Sequence, residues 1–203
     1  MRALNDAGIA DFRHELFPDG SSRTERLLIE PLQAADAFVL TILTNDPLVA
    51  HGASTLPQPF TIDDAHALIA LPRRGGGCFA ALRARNSGVM IGCAGVLARN
   101  PAWDPARVPG RGGTGDLELG FWLGAPYHGR HYGAEAAEAM LRLARGAFPR
   151  SRIVAECPRE NTASWRLLRR LGFSPGAGRA ARPGAELLLW RAEAEAELEA
   201  AVD

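Results

Sequence analysis

The chain has 203 residues, 47% hydrophobic and 23% charged, and its 23 basic and 23 acidic residues cancel. That suits one sizeable globular domain and gives no broad electrostatic pull toward nucleic acid or a membrane surface. Every basic residue is an arginine, which excludes a phosphate-loop lysine and a lysine Schiff base. Cys78, Cys93 and Cys157 stand far apart, odd in number and without a C-x-x-C pair. They predict buried thiols in a reducing, cytoplasmic setting, with no disulfide framework and no metal. No apolar run approaches 18 residues and the start lacks a leader-like apolar core, so neither a membrane span nor export is expected.

In chain order, residues 1–23 read as an extension, with a short helix near Asp6 to Leu16 ended by Pro18-Asp19-Gly20. RLLIE at Arg26 to Glu30 is a first strand, and Ala34 to Leu43 carries a helical pattern. Thr44 to Phe60, with three prolines, reads as a loop. Thr61 caps a helix reaching about Leu71, with Asp63 and Asp64 favourable in its first turn. Cys78 to Ala84 and Val89 to Leu97 form a hairpin around Arg85-Asn86-Ser87-Gly88. Arg99 to Gly115, rich in Gly and Pro, leads into a strand rather than a helix, so its GRGGTG is read as a loop and not a phosphate motif.

From Asp116 the pattern sharpens. Leu117, Leu119, Phe121 and Leu123 alternate with Glu118, Gly120 and Trp122, a period-2 strand broken by Gly124-Ala125-Pro126. After the turn HGRHYG a helix begins at Gly133, with Ala136, Met140, Leu143 and Ala147 as its buried stripe and Glu138–Arg142 as an i,i+4 pair. Strand, short glycine-bearing turn, helix leaves free N–H groups where an anion can sit, and Arg130 adds a positive charge. The same pattern also serves as an ordinary connection. A strand follows at Arg152 to Glu156, then a helix from Asn161 with Leu167, Leu168 and Leu171 inward and Gly172 as its stop. Ser164 and Asn161 continue that inward stripe although they are polar. Phe173 to Pro175 and Ala185 to Arg191 are the last strands, and residues 192–203 form an acidic Ala/Glu tail that frays.

ELGFWLGAPYHGRHYGAEA resembles the acetyl-coenzyme A segment of the GNAT N-acetyltransferase superfamily, in the branch of the ribosomal-protein N-terminal acetyltransferases. That branch shows E-I-G-Y-W-L followed by W-G-x-G-Y-A-T-E-A. ENTASWRLLRRLGF at Glu160 to Phe173 resembles the family's N-x-x-S-x-x-L-x-x-x-L-G-F helix, and TERLLIEPL at Thr24 to Leu32 extends the likeness more weakly. The resemblance implies an α/β (α+β) fold across residues 24–191: a mixed, mostly antiparallel sheet splayed at its centre, with helices on both faces.

It also implies acetyl transfer from acetyl-coenzyme A, as co-substrate, to an amine-bearing small molecule or a protein N-terminus. Nucleic acid and membrane are not expected as partners, and a homodimer stays open. Glu118 matches the family's strand glutamate, a base for the amine, though it also reads as a solvated or ion-paired carboxylate. Ser164 matches the serine placed as proton donor near the sulfur; otherwise it bonds its own helix. Asn161 holds the pantetheine arm, caps the helix, or does both. The coenzyme would lie along Phe121, Trp122 and Leu123 and against His128, Gly129, Arg130, His131, Tyr132 and Gly133. His131 stands where the family has Gly, and at positive φ it would cost on the order of 1–2 kcal/mol. His128 stands where the family has Trp. A non-catalytic acetyl-coenzyme A-binding module is the alternative. The acceptor pocket would draw on Thr44 to Phe60, including Asp46 and His51, and on Ser174 to Gly184.

Overall fold

The structure is a computed structural model that describes residues 12–52, 56–74, 76–99, 116–178, 180–181 and 183–191. The N-terminal segment, the 100–115 loop and the tail from residue 192, all subjects of the expectations above, lie outside them. The chain divides into two compact units, one ending at Ser151 and the other beginning at Arg152.

The first unit begins with helix α1 (Phe12–Leu16), whose Phe12 and Leu16, with Phe17 just beyond, are fully buried. Phe12 stacks obliquely on Phe148 with ring centroids 4.8 Å apart. Burying a side chain of this size contributes roughly 1.5–3 kcal/mol, enough to seat so short a helix. Strands β1 (Ser22–Arg23) and β2 (Leu27–Pro31) come next. A 3-10 turn leads into α2 (Ala37–Thr44).

The stretch expected to be loop after Thr44 instead contains a helix, α3 (Pro47–Gly52). The reason is local: the Asp46 carboxylate accepts from Leu48 N–H at 2.9 Å, and its carbonyl from Val49 and Ala50 N–H. Pro47 sits where a missing N–H costs nothing. Helix α4 (Ile62–Ala70) starts as expected, with Thr61 and Asp64 capping each other reciprocally.

Strands β3 (Gly77–Ala84), β4 (Met90–Ala98) and β5 (Leu117–Leu123) complete an antiparallel sheet in the order β1-β2-β3-β4-β5. Its two faces are chemically distinct. On one, Phe79, Ala81, Cys93 and Trp122 pack with Leu40 of α2 and Ala65 and Leu68 of α4. On the other, Leu117 and Leu119 are buried and pack toward α5 (Tyr132–Ala147). Gly95 lets the strands approach: a Cβ there would stand 2.3 Å from the Cys78 carbonyl.

The buried stripe of α5 differs from the expected one. Ala136, Ala137, Ala139, Met140, Leu141 and Ala144 are buried, whereas Leu143 and Ala147 are only half-buried. Lying between the sheet and α1, the helix buries an arc wider than one seam. Leu143 and Ala147 fall at its edge, beside an open cavity of about 400 Å³ shared with His14 and Leu16.

In the second unit, β6 (Ile153–Pro158), α6 (Thr162–Arg170), β7 (Phe173–Pro175) and β8 (Ala185–Trp190) form an antiparallel sheet in the order β6-β8-β7 with α6 beside it. With eight strands, antiparallel pairing within each unit and interleaved helices, the α/β expectation holds. No helix among the described residues is long and apolar enough to cross a membrane. None of the three cysteines is in a disulfide, and all are buried.

Candidate active site at the end of strand β5

Glu118 lies half-buried on β5, opposite Leu97 and on the face of Gly120 and Trp122, away from Leu117 and Leu119. Trp122 belongs to the core: its ring packs on Phe79 with centroids 5.4 Å apart. Its Nε1 is buried with no hydrogen-bond partner among the described residues. Phe121 and Leu123 alternate with it on the other face, both half-buried.

After β5 the chain makes a 3-10 turn, Ala125–Tyr127. His128 turns back, its Nε2 2.8 Å from the Leu123 carbonyl oxygen, so this side chain ties the turn to the strand end. Gly129 has φ +72° and His131 φ +63°, with His131 as the N-cap of α5. His131 is the one non-glycine residue at positive φ among those described. The strain expected if this position required a left-handed backbone is therefore present.

That bend has a consequence for the N–H groups. His131 gives α5 no side-chain cap. Among the described residues, the N–H groups of Gly129, Arg130, His131, Tyr132, Gly133 and Ala134 donate to no protein acceptor; the first to do so is Glu135, to the His131 carbonyl at 3.2 Å. Alternating left- and right-handed residues ahead of a helix make a concave nest of N–H groups, and the helix dipole adds to its positive potential. Arg130 is exposed beside it. The arrangement suits an anion carrying several oxygens, such as a pyrophosphate.

Three residues that the sequence did not mark as site residues hold this turn. The Arg26 guanidinium donates through Nε to Glu135 Oε2 at 2.7 Å, its Nη2 also lies 2.7 Å from that oxygen, and its Nη1 donates to the Arg130 carbonyl at 2.9 Å. It lies over the Tyr132 ring, 4.5 Å from the centroid. The Arg26 N–H and the Thr24 hydroxyl both donate to Glu135 Oε1, at 2.8 and 2.5 Å. Burial by itself would push the Glu135 carboxyl up, but the Thr24 and Arg26 contacts outweigh it and hold the group below the usual range. The only sequence signal was the TERLLIEPL opening, whose contact with Glu135 spans 109 residues.

Asn161 and Ser164 lie in the second unit. Asn161 caps α6, its Oδ1 accepting from Ser164 N–H at 3.1 Å. The Ser164 hydroxyl makes no hydrogen bond among the described residues, so the back-bonded helix serine is not what forms. Of the acceptor-side candidates, Asp46 is engaged in starting α3, and the His51 side chain lies outside the described residues. In the 176–184 loop, Ala181 N–H donates to the buried Glu156 at 2.8 Å.

Residues 26–174 match the family described as the Acetyltransferase (GNAT) domain. No curated protein matches. Among solved structures, an acetyltransferase from Agrobacterium tumefaciens is similar at 22% identity with a TM-score of 0.68, over 85% of this chain and 94% of that one. The RimL ribosomal L7/L12 alpha-N-protein acetyltransferase in complex with coenzyme A is similar at 17% identity and TM-score 0.59, over 82% and 93%. A ribosomal-protein-S5-alanine acetyltransferase from Vibrio fischeri is similar at 17% identity and TM-score 0.61, over 83% and 93%.

Proposed function

The chain belongs to the GNAT acetyltransferase family, and on that premise we propose that it moves the acetyl group of acetyl-coenzyme A to an α-amine, on a peptide, a protein N-terminus or a small molecule. The observation that carries the coenzyme part is the open start of α5, with N–H groups that have no acceptor among the described residues and left-handed residues at 129 and 131. They fit the pyrophosphate, with the exposed Arg130 as a counter-charge. The pantetheine arm would run along the backbone of Phe121, Trp122 and Leu123, with Asn161 contributing to its hold. His128, Tyr132 and Gly133 complete the coenzyme side.

In the reaction, the neutral amine attacks the thioester carbonyl; a C–N bond forms, the C–S bond breaks, and the amine loses a proton. Glu118 takes that proton, directly or through water. Its half-buried position on the face away from the buried leucines supports this role. Ser164, whose hydroxyl makes no hydrogen bond among the described residues, donates to the departing sulfur. A thiol with pKa near 8.5 leaves fairly well unaided, so Ser164 matters less than Glu118.

The preference for an α-amine is a proton argument. With pKa near 8, roughly a tenth of an α-amine is neutral at pH 7, against under a thousandth of a lysine amine near 10.4. One carboxylate base manages the first more readily. The alpha-N-protein substrate named for the RimL neighbour points the same way, and buried cysteines outside disulfides agree with a cytoplasmic setting.

The test is incubation with acetyl-coenzyme A and a panel of peptides, polyamines and aminoglycosides, with products read by mass. Acetylated α-amines are expected. Acetyl-lysines dominating the peptide products would overturn the preference, and the enzyme's lack of lysine keeps that readout clean.

A further inference from the structure

The start of α5 poses an electrostatic problem that the sequence does not show. Glu135 is a carboxylate in the first turn of a helix whose open end is read above as the seat of a polyanion. Alone, it would repel the phosphates it stands behind. It is not alone: Thr24 and Arg26 supply four donor contacts to its two oxygens. The same guanidinium reaches past Glu135 to the Arg130 carbonyl and lies over the Tyr132 ring. One side chain therefore grips the turn at 130, 132 and 135, on both sides of the strained His131. A left-handed non-glycine residue persists only where its surroundings over-determine it, and Arg26 makes the contacts that do so.

We propose that Arg26, braced by Thr24 and Glu135, is the positioning residue that holds the 129–133 turn in its anion-binding shape and neutralises the carboxylate behind it. This rests on the coenzyme-site reading above. The planar fork is essential to the role, because contacts to Glu135, the Arg130 carbonyl and the Tyr132 face come from different parts of one rigid group. A lysine would bring the charge but not the span.

The experiment compares binding of coenzyme A with binding of pantetheine, which lacks the pyrophosphate, in wild-type protein and in Arg26→Ala, Arg26→Lys and Thr24→Val. Wild-type protein should bind coenzyme A far more tightly than pantetheine; if it does not, the coenzyme-site reading fails and takes this proposal with it. Given that preference, Arg26→Ala should weaken coenzyme A about tenfold while pantetheine binding stays within about twofold, and KM for acetyl-coenzyme A should rise by more than kcat falls. Arg26→Lys should be nearly as weak as Arg26→Ala, and Thr24→Val should lose about threefold. If Arg26→Ala does not fold, Arg26→Lys and Thr24→Val decide. Wild-type coenzyme affinity in Arg26→Lys would show that charge alone suffices and overturn the proposal. So would unchanged affinity in both Arg26→Ala and Thr24→Val, or equal weakening of coenzyme A and pantetheine.

Discussion

Helices α5 and α6 begin in opposite ways. At α6 the Asn161 side chain accepts from Ser164 N–H, satisfying a donor that the helix cannot. α4 does the same with Thr61 and Asp64. At α5 the N-cap is His131, in a left-handed conformation and without a side-chain cap, and the first-turn N–H groups ahead of Glu135 find no acceptor among the described residues. A helix end that serves only stability closes itself at little cost. One that keeps strain and open donors is suited to receive something, and the occupant proposed above is the coenzyme pyrophosphate.

The largest expected effect measures what the capped start of α6 leaves available. Ser164 commits its N–H to the cap, while its hydroxyl makes no hydrogen bond among the described residues, and Glu118 on β5, the proposed base, is the reference for how much a full base would contribute. Glu118→Gln should lower kcat by about 10²-fold or more with coenzyme affinity nearly unchanged. Ser164→Ala should lower it on the order of tenfold. Steady-state kinetics check the order; a larger loss for Ser164→Ala, or wild-type turnover in Glu118→Gln, would reverse or void the assignments.

The next pair breaks the two helix starts in opposite directions. Asn161→Ala removes a cap and should lower stability by about 1 kcal/mol. His131→Gly removes a side chain from a left-handed position and should raise it, by up to about 1 kcal/mol after the glycine's own entropy is counted. Denaturant melts of the ligand-free protein read both. Two changes of the same sign would mean that the His131 bend is not strained in the way its φ implies.

The smallest effect is in acid. Glu135 is held below its usual carboxylate range, burial opposing and the Thr24 and Arg26 contacts prevailing. A depressed carboxylate contributes stability that is complete above its unfolded pKa and is lost as pH falls through the folded value. The contribution should therefore fade below about pH 4–5, and Glu135→Gln should flatten that acid limb of the melting profile. An unchanged limb would show that the Thr24–Arg26–Glu135 contacts add nothing to the folded state.

The elements were legible where a signal is local. The period of β5, the Thr61 cap, the 85–88 hairpin turn and the Asn161 helix each follow from residues within a few positions of one another. α3 was legible in principle, since Asp46-Pro47 is a helix start, but the neighbouring prolines masked it. The buried face of α5 was not, because what a helix buries depends on how many surfaces it lies between.

Sequence alone determined the strand–turn–helix order around residues 117–147, the candidate chemistry of Glu118, Ser164 and Asn161, and the question posed by His131. Only the tertiary structure decided the answer to that question: φ at His131 is positive, and the donors that open α5 have no acceptor among the described residues. It alone also brought Thr24 and Arg26 onto Glu135. The physical reason is range. Periodicity and capping act over one or two turns of chain, and a motif reports residue types at fixed spacing, whereas an ion pair between residues 26 and 135 exists only once sheet and helix have packed.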